Sequence, residues 1–169
     1  IGVLDLRNKT LSEAKSIIKQ RLLKSFKDVD IHISLQNYRK IKVSLLGNVR
    51  SPSTYVLSSS SRLLDLIVIS SGLLGTSDIR NISIISRDGN QKKIDLLRFL
   101  RLGDYSQNPY LNDGDIVQID KAEKVVSLFG QIKYTGNYEF KENETIDEIF
   151  NIAGGLLFKA RKDSIELIR

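Results

Sequence analysis

The chain writes one stretch twice, and that repetition narrows the possible folds more than any other feature. Val43-Ser-Leu-Leu-Gly47 returns as Val126-Ser-Leu-Phe-Gly130, and the copies stay in step without a gap, at an offset of 83, from Val43 against Val126 to Ser86 against Arg169. Further identities fall at Tyr55/Tyr138, Gly72/Gly155, Leu73/Leu156, Leu74/Leu157, Ile82/Ile165 and Ile85/Ile168. Apolar character is kept at Val49/Ile132, Leu57/Phe140, Leu63/Ile146, Leu66/Ile149 and Ile69/Ile152. Matching apolar spacing over that length marks the duplication of one supersecondary unit. The first copy runs on through Asp88-Gly89 and Leu111-Asn-Asp-Gly114-Asp115-Ile-Val-Gln-Ile119, whereas the second stops at Arg169, so the second unit is expected to be truncated.

Composition removes several classes of function. With 169 residues, 41% hydrophobic and 27% charged, the chain suits one or two globular domains. Its longest apolar run, Leu63 to Ile69, is broken by Asp65 and falls far short of the roughly 20 residues that cross a bilayer. The absence of cysteine removes disulfides, thiolate zinc sites and thiol nucleophiles together. The net charge of +6 is spread along the chain, which favours solvated faces over a dedicated polyanion site. The N-terminus has no initiator Met, signal-peptide pattern or lipid-acceptor Cys, so a piece of a longer protein is expected.

Local signals place the elements. Thr10-Leu-Ser-Glu13 is a capping box, and Leu11, Ala14, Ile17, Ile18 and Leu22 line one face of a helix expected from Leu11 to about Phe26. Val29, Ile31, Ile33 and Leu35 alternate with polar residues, which predicts a half-buried strand carrying the single histidine, His32, on its polar side. Ile41, Val43 and Leu45 begin the next strand, and Gly47 marks a bulge or a close backbone approach at its end. Arg50-Ser-Pro52-Ser53 then turns the chain back into Tyr55-Val-Leu57, as Tyr134-Thr-Gly136-Asn137 does before Tyr138-Glu-Phe140. Each hairpin precedes a helix. The first presents Leu63, Leu66 and Ile67 inward and ends at Gly72; the second starts at the Thr145-Ile-Asp-Glu148 capping box, presents Ile146, Ile149, Phe150 and Ala153, and ends at Gly154. Strands follow at Ile82 to Ile85 and Ile165 to Ile168. Asp88-Gly89 signals a two-residue hairpin into Gln91 to Ile94, and a short helix, Leu96 to Arg101, and a strand, Ile116 to Ile119, close the first unit. This order is an α+β arrangement of the β-grasp, ubiquitin-like kind, with the helix packed on one side of a mixed sheet.

No catalytic, cofactor or metal constellation emerges. Asn112-Asp113-Gly114-Asp115 lacks the oxygen-ligand spacing of a calcium loop and reads as a turn. Gly72 and Gly154-Gly155 lie in neither a GxxxxGK[ST] nor a strand-GxGxxG context, so they read as helix ends. Asp147/Glu148 and Glu142/Glu144 sit at a helix start, where they complement the macrodipole. Arg50 and Lys133 occupy equivalent turns and, with Tyr55 and Tyr138, are the candidate polymer or interface contacts.

Several phrases resemble one family. Lys42-Val-Ser-Leu-Leu-Gly47-Asn-Val49-Arg-Ser-Pro52-Ser-Thr-Tyr55, the Ser71-Gly72-Leu73 helix end and Leu111-Asn-Asp-Gly114-Asp115-Ile-Val-Gln-Ile119 resemble the soluble-ligand-binding β-grasp (SLBB) repeat. Phe129-Gly130-Gln-Ile-Lys-Tyr-Thr-Gly136-Asn-Tyr138 with Ala153-Gly154-Gly155-Leu156 resembles it more closely still. The helix and strand from Thr10 to Leu35 are similar to the end of the domain that precedes such repeats in bacterial polysaccharide export proteins. The resemblance implies three parts: residues 1–38 as the end of an export domain, 39–121 as a first SLBB domain and 122–169 as a second, truncated one. It further implies a non-enzymatic, ring-forming conduit for capsular or exopolysaccharide, periplasmic and attached to the outer membrane through segments absent from this chain. Its implied partners are further copies of itself, the polysaccharide and an inner-membrane polysaccharide co-polymerase or tyrosine autokinase, with no nucleic acid. The sequence departs from the family pattern at Ser53, where Gly usually follows Pro, and at Ser70-Ser71, which replaces Ala-Gly while leaving Gly72 for the cap. The alternative is a monomeric β-grasp module that binds a soluble ligand or partner protein.

Overall fold

The computed structural model describes residues 2–26 and 29–161. The chain divides into two units, Ile1–Tyr38 and Arg39–Arg169.

In the first unit the capping box forms as its residues dictate. Thr10 Oγ1 accepts the Glu13 N–H at 3.3 Å, and Glu13 accepts the Thr10 N–H at 2.7 Å, opening helix α1, Leu11–Leu23. Those donors, the Thr10 backbone N–H first and its hydroxyl second, hold the Glu13 carboxyl below the ordinary glutamate range. Ala14, Ile17, Ile18 and Leu22 are half-buried along the expected face, and no residue of the helix is fully buried. The strand expected over Val29 to Leu35 does not form: these residues carry no ladder, although Ile31 and Ile33 remain half-buried. Alternation supplies an inward face, but a strand also needs an edge to pair with, and the described residues of this unit contain no second strand.

The second unit begins with β1 (Lys40–Gly47) and β2 (Ser53–Ser58), antiparallel with Val43 opposite Tyr55. Helix α2 (Leu63–Ile69), strands β3 (Ile82–Ile85) and β4 (Gln91–Ile94), helix α3 (Leu96–Leu102) and strand β5 (Ile116–Ile119) follow. The five strands order as β2-β1-β5-β3-β4, with β5 parallel to β1 and antiparallel to β3. That mixed sheet is the β-grasp. Ile41, Val43 and Leu45 of β1, Leu63, Leu66 and Ile67 of α2, and Val117 and Ile119 of β5 form its core. Each such side chain contributes about 1.5–3 kcal/mol by leaving water. Gly47 is where the sheet closes most tightly: with φ +91, a Cβ there would lie 2.2 Å from Ile119 O.

Two local expectations shift. The β3–β4 turn encloses three residues, Arg87 to Gly89, not two: Ser86 N–H bonds to Asn90 O and Gly89 N–H to Ser86 O, both at 2.9 Å, and Gly89 takes φ +86. Aspartate-glycine here ends a type I turn with a left-handed residue, instead of forming the centre of a two-residue turn. At the end of α2, Ser71 is already left-handed (φ 69) before Gly72 (φ 85), so a non-glycine residue takes the position held by Gly154 in the second copy.

The second copy supplies β6 (Val125–Leu128), β7 (Gly136–Glu139) and α4 (Ile146–Ile152), with Val126 opposite Tyr138. Thr145 and Glu148 form the expected reciprocal cap. Ile149 and Ala153 are buried as expected, but Ile146 is 53% exposed and Ile152 is buried instead. The difference has a packing cause. Leu63, the counterpart of Ile146, lies beneath a segment held by Leu63 N–H to Pro109 O (3.1 Å) and Leu111 N–H to Ser61 O (3.0 Å), whereas Ile152 clusters with Leu97 of α3. The strand expected at Ile165 to Ile168 lies outside the described residues.

Candidate functional site

Each hairpin turn is tied to the end of its own helix. In the first copy Val49 bridges Leu73, and Arg50 Nε donates to Leu73 O at 3.1 Å. In the second, Ile132 bridges Leu156, while the N–H groups of Lys133 and Tyr134 donate to Gly155 O (3.1 Å) and Ala153 O (3.0 Å). Arg50 and Lys133 are thereby held exposed at equivalent turns. Tyr55, half-buried, donates its hydroxyl to Ser51 O at 2.7 Å, and Tyr138, buried, does the same to Tyr134 O at 2.5 Å. Each tyrosine therefore closes the turn that carries the cation of its own copy, and burial pushes the Tyr138 hydroxyl above the ordinary tyrosine pKa. Tyr134, exposed beside Lys133, lies 4.0 Å from the guanidinium carbon of Arg101 and 5.3 Å from Lys133 Nζ, measured from its ring centroid.

The deepest charged cluster joins the two copies. Arg80 lies just before β3, with a side chain only 1% exposed. Its Nε and Nη2 donate to Asp95 Oδ2 at 3.3 and 3.2 Å, its Nη1 to Glu139 O at 2.6 Å and Glu144 Oε2 at 2.9 Å, and its Nη2 to Glu144 Oε1. Lys141 Nζ donates to the same Asp95 oxygen at 2.6 Å. Asp95 belongs to the first copy, where it also accepts the Arg98 N–H at the start of α3; Glu139, Lys141 and Glu144 belong to the second. Burial disfavours the Arg80 charge, but the Glu144 hydrogen bond and the Asp95 charge outweigh it and hold the guanidinium above its ordinary pKa. Beside this network Leu97 and Ile79 pack into the cluster of Leu128, Ile132, Tyr138, Ile149 and Ile152. A polar cleft of about 480 Å³ opens at the joint, lined by Arg80, Asp95, Arg98, Asp104 and Lys141 among others.

The turn before β5 uses its carboxylates as backbone acceptors. Asp113 accepts the Lys42 N–H at 2.9 Å and Asp115 accepts the Asn112 N–H at 2.8 Å, which shapes the entry to the strand. Among the described residues no group of three His, Cys, Asp or Glu side chains is placed to hold a metal.

Residues 41–119 match one model of the SLBB domain and residues 125–169 a second. The EPS I polysaccharide export outer membrane protein EpsA of Ralstonia nicotianae is 24% identical over 158 residues, which cover 92% of this chain. The chain belongs to the family of proteins built on SLBB domains. It spans 42% of the length of that curated relative. The SLBB matches give the two hairpins one description, so Arg50 and Lys133 stand at the same place in two domains of one kind. The Arg80 network and Asp95 carry no sequence signal of their own, because their partners lie 15 to 64 residues apart.

Proposed function

We propose that this chain is a periplasmic portion of an outer-membrane polysaccharide export protein, a non-enzymatic conduit that assembles as a homo-oligomeric ring around the exported capsular or exopolysaccharide. The observation that carries the reading is the coupling of two SLBB repeats through the buried Arg80 network, because stacked rings need successive domains held in fixed register. The relative named for polysaccharide export supports the choice of cargo. In this reading residues 1–38 end an export domain, 39–121 and 122–169 are the two SLBB domains, and Arg50 and Lys133 touch polymer or neighbouring subunit from turns braced by Tyr55 and Tyr138. An inner-membrane polysaccharide co-polymerase or tyrosine autokinase meets the periplasmic end. The test is the mass in solution of the protein purified from its native envelope in mild detergent, by light scattering after size-exclusion chromatography. A discrete closed multimer is expected. A monomer would overturn the conduit and favour a module that takes a soluble ligand or partner protein at the polar cleft of the joint.

A further inference from the structure

Helix α2 begins against its own local chemistry. Helix starts favour Ser, Thr, Asp or Asn, whose side chains accept a backbone N–H, and they disfavour cations because the dipole is positive there. The second copy obeys with Thr145, but its counterpart in the first copy is Arg62. Distant groups satisfy the neighbouring helix donors, while Asp65 keeps the half of the box that Glu148 makes in the second copy. Asp65 accepts the Arg62 N–H at 2.7 Å, the buried Asn108 side chain accepts the Leu64 N–H at 3.0 Å, and Pro109 O accepts the Leu63 N–H at 3.1 Å. A residue that breaks a local rule while the structure compensates around it points to a use for its side chain.

That side chain lies between two exposed rings. The Arg62 guanidinium carbon stands 3.8 Å from the Tyr110 centroid and 5.9 Å from that of Tyr105, and Nη1 donates to Asn108 O at 2.7 Å. Tyr105 is 69% and Tyr110 57% exposed. Tyr105 is oriented by an edge-on contact with Phe99, centroids 5.3 Å apart, and by the Tyr105–Gln107 turn that Asp104 caps. Scattered surface tyrosines are ordinary. Two that flank a guanidinium placed against helix preference form a prepared surface.

We infer that Arg62, Tyr105 and Tyr110 form a binding platform for an acidic sugar residue. The C–H face of a pyranose ring packs on a tyrosine ring, whose two torsions make it an inexpensive rigid contact. The sugar carboxylate takes guanidinium N–H groups beyond the one given to Asn108, in the planar fork that arginine offers and lysine does not. The choice of a sugar rests on the export reading above; the charge and stacking chemistry stand on Arg62 and the tyrosines alone.

The experiment is a titration of the full chain with a short oligogalacturonate, followed by calorimetry and by backbone amide shifts. A neutral malto-oligosaccharide of equal length and adenosine monophosphate serve as comparisons. Saturable uronate binding is expected, with shifts centred on residues 62, 105 and 110. Arg62→Thr should weaken it about tenfold or more, the usual scale for a hydrogen bond to a charged group, and Tyr105→Ala about threefold to tenfold, the scale of an aromatic ring contact. Arg62→Thr should keep its thermal midpoint, because it restores the cap that Thr145 makes in the second copy. Absent uronate binding, equal affinity for the neutral sugar, tighter binding of the nucleotide, or full affinity in Arg62→Thr would each overturn the platform. The two readings fail separately: a ring can form without uronate binding to this platform, and a monomer can still bind it.

Discussion

Gly47 and Gly130 occupy the same place in the two copies and share nearly the same left-handed backbone, φ +91 and +92, yet they should tolerate a methyl group very differently. At Gly47 a Cβ would lie 2.2 Å from Ile119 O and 2.7 Å from Gln118 Nε2, so Gly47→Ala meets both backbone strain and the β1–β5 ladder. At Gly130 no described atom lies within 4 Å of the added carbon, which leaves only the strain. Urea denaturation should show Gly47→Ala costing about 3 kcal/mol and Gly130→Ala about 1 kcal/mol. Equal losses would mean that the parallel strand pair does not close at Gly47. The other asymmetric pair, Ser71 and Gly154, has a local reason. A Cβ at Gly154 would come within 2.9 Å of the Lys133 and Tyr134 side chains, whereas the counterpart of Tyr134 in the first copy is the small Ser51. The larger turn residue goes with the smaller helix end.

Helices α1 and α4 owe their starts to reciprocal caps, and this makes them separable from the packing that follows. Thr145→Ala removes the acceptor for the Glu148 N–H, at 3.3 Å, and should lower stability by about 1 kcal/mol. The backbone N–H and hydroxyl of Thr145 hold the Glu148 carboxyl below its ordinary range, so this part of the stability is present above that range and is lost as pH falls through the lowered value. Thr145→Ala should accordingly cost less in acid than at neutrality; a loss independent of pH would assign the effect to helix propensity alone. Such caps, the strand alternation and the repeat itself are written locally, which is why the helices, the hairpins and the β-grasp order are legible in the residues. Features that need a distant partner are not. Val29 to Leu35 alternates like a strand but finds no second edge among the described residues of its unit, and Ile146 and Ile152 exchange roles because α3 of the other copy selects which side of α4 is covered. Arg62 had a legible signal in its mismatch with Thr145, whereas Arg80 had none, since a guanidinium before a strand looks the same whether solvated or buried.

Across the whole second unit, the decisive contact is the buried charge at the joint. A buried ion pair adds little net stability over an apolar replacement, but removing one partner leaves the others desolvated and unmatched. Arg80→Met should therefore cost about 3–5 kcal/mol, because Asp95 and Glu144 lose their shared guanidinium, although Asp95 keeps Lys141. Neutralising the stranded carboxylates as well, with Asp95→Asn and Glu144→Gln, should recover much of that loss, since asparagine can still cap α3. Glu139 offers a separate test by pH. Burial raises its carboxyl pKa above the ordinary 4.5, so the folded chain holds that proton more tightly than the unfolded one. Its contribution is therefore most favourable below 4.5 and declines as pH rises through the raised value, and Glu139→Gln should increase stability near neutrality while changing little in acid. One denaturation transition in the parent and two in Arg80→Met would mean that the ion network is what makes the repeats unfold together. A single transition displaced by less than about 1 kcal/mol would instead assign the coupling to Leu97 and Ile79, whose apolar contacts the substitution leaves in place.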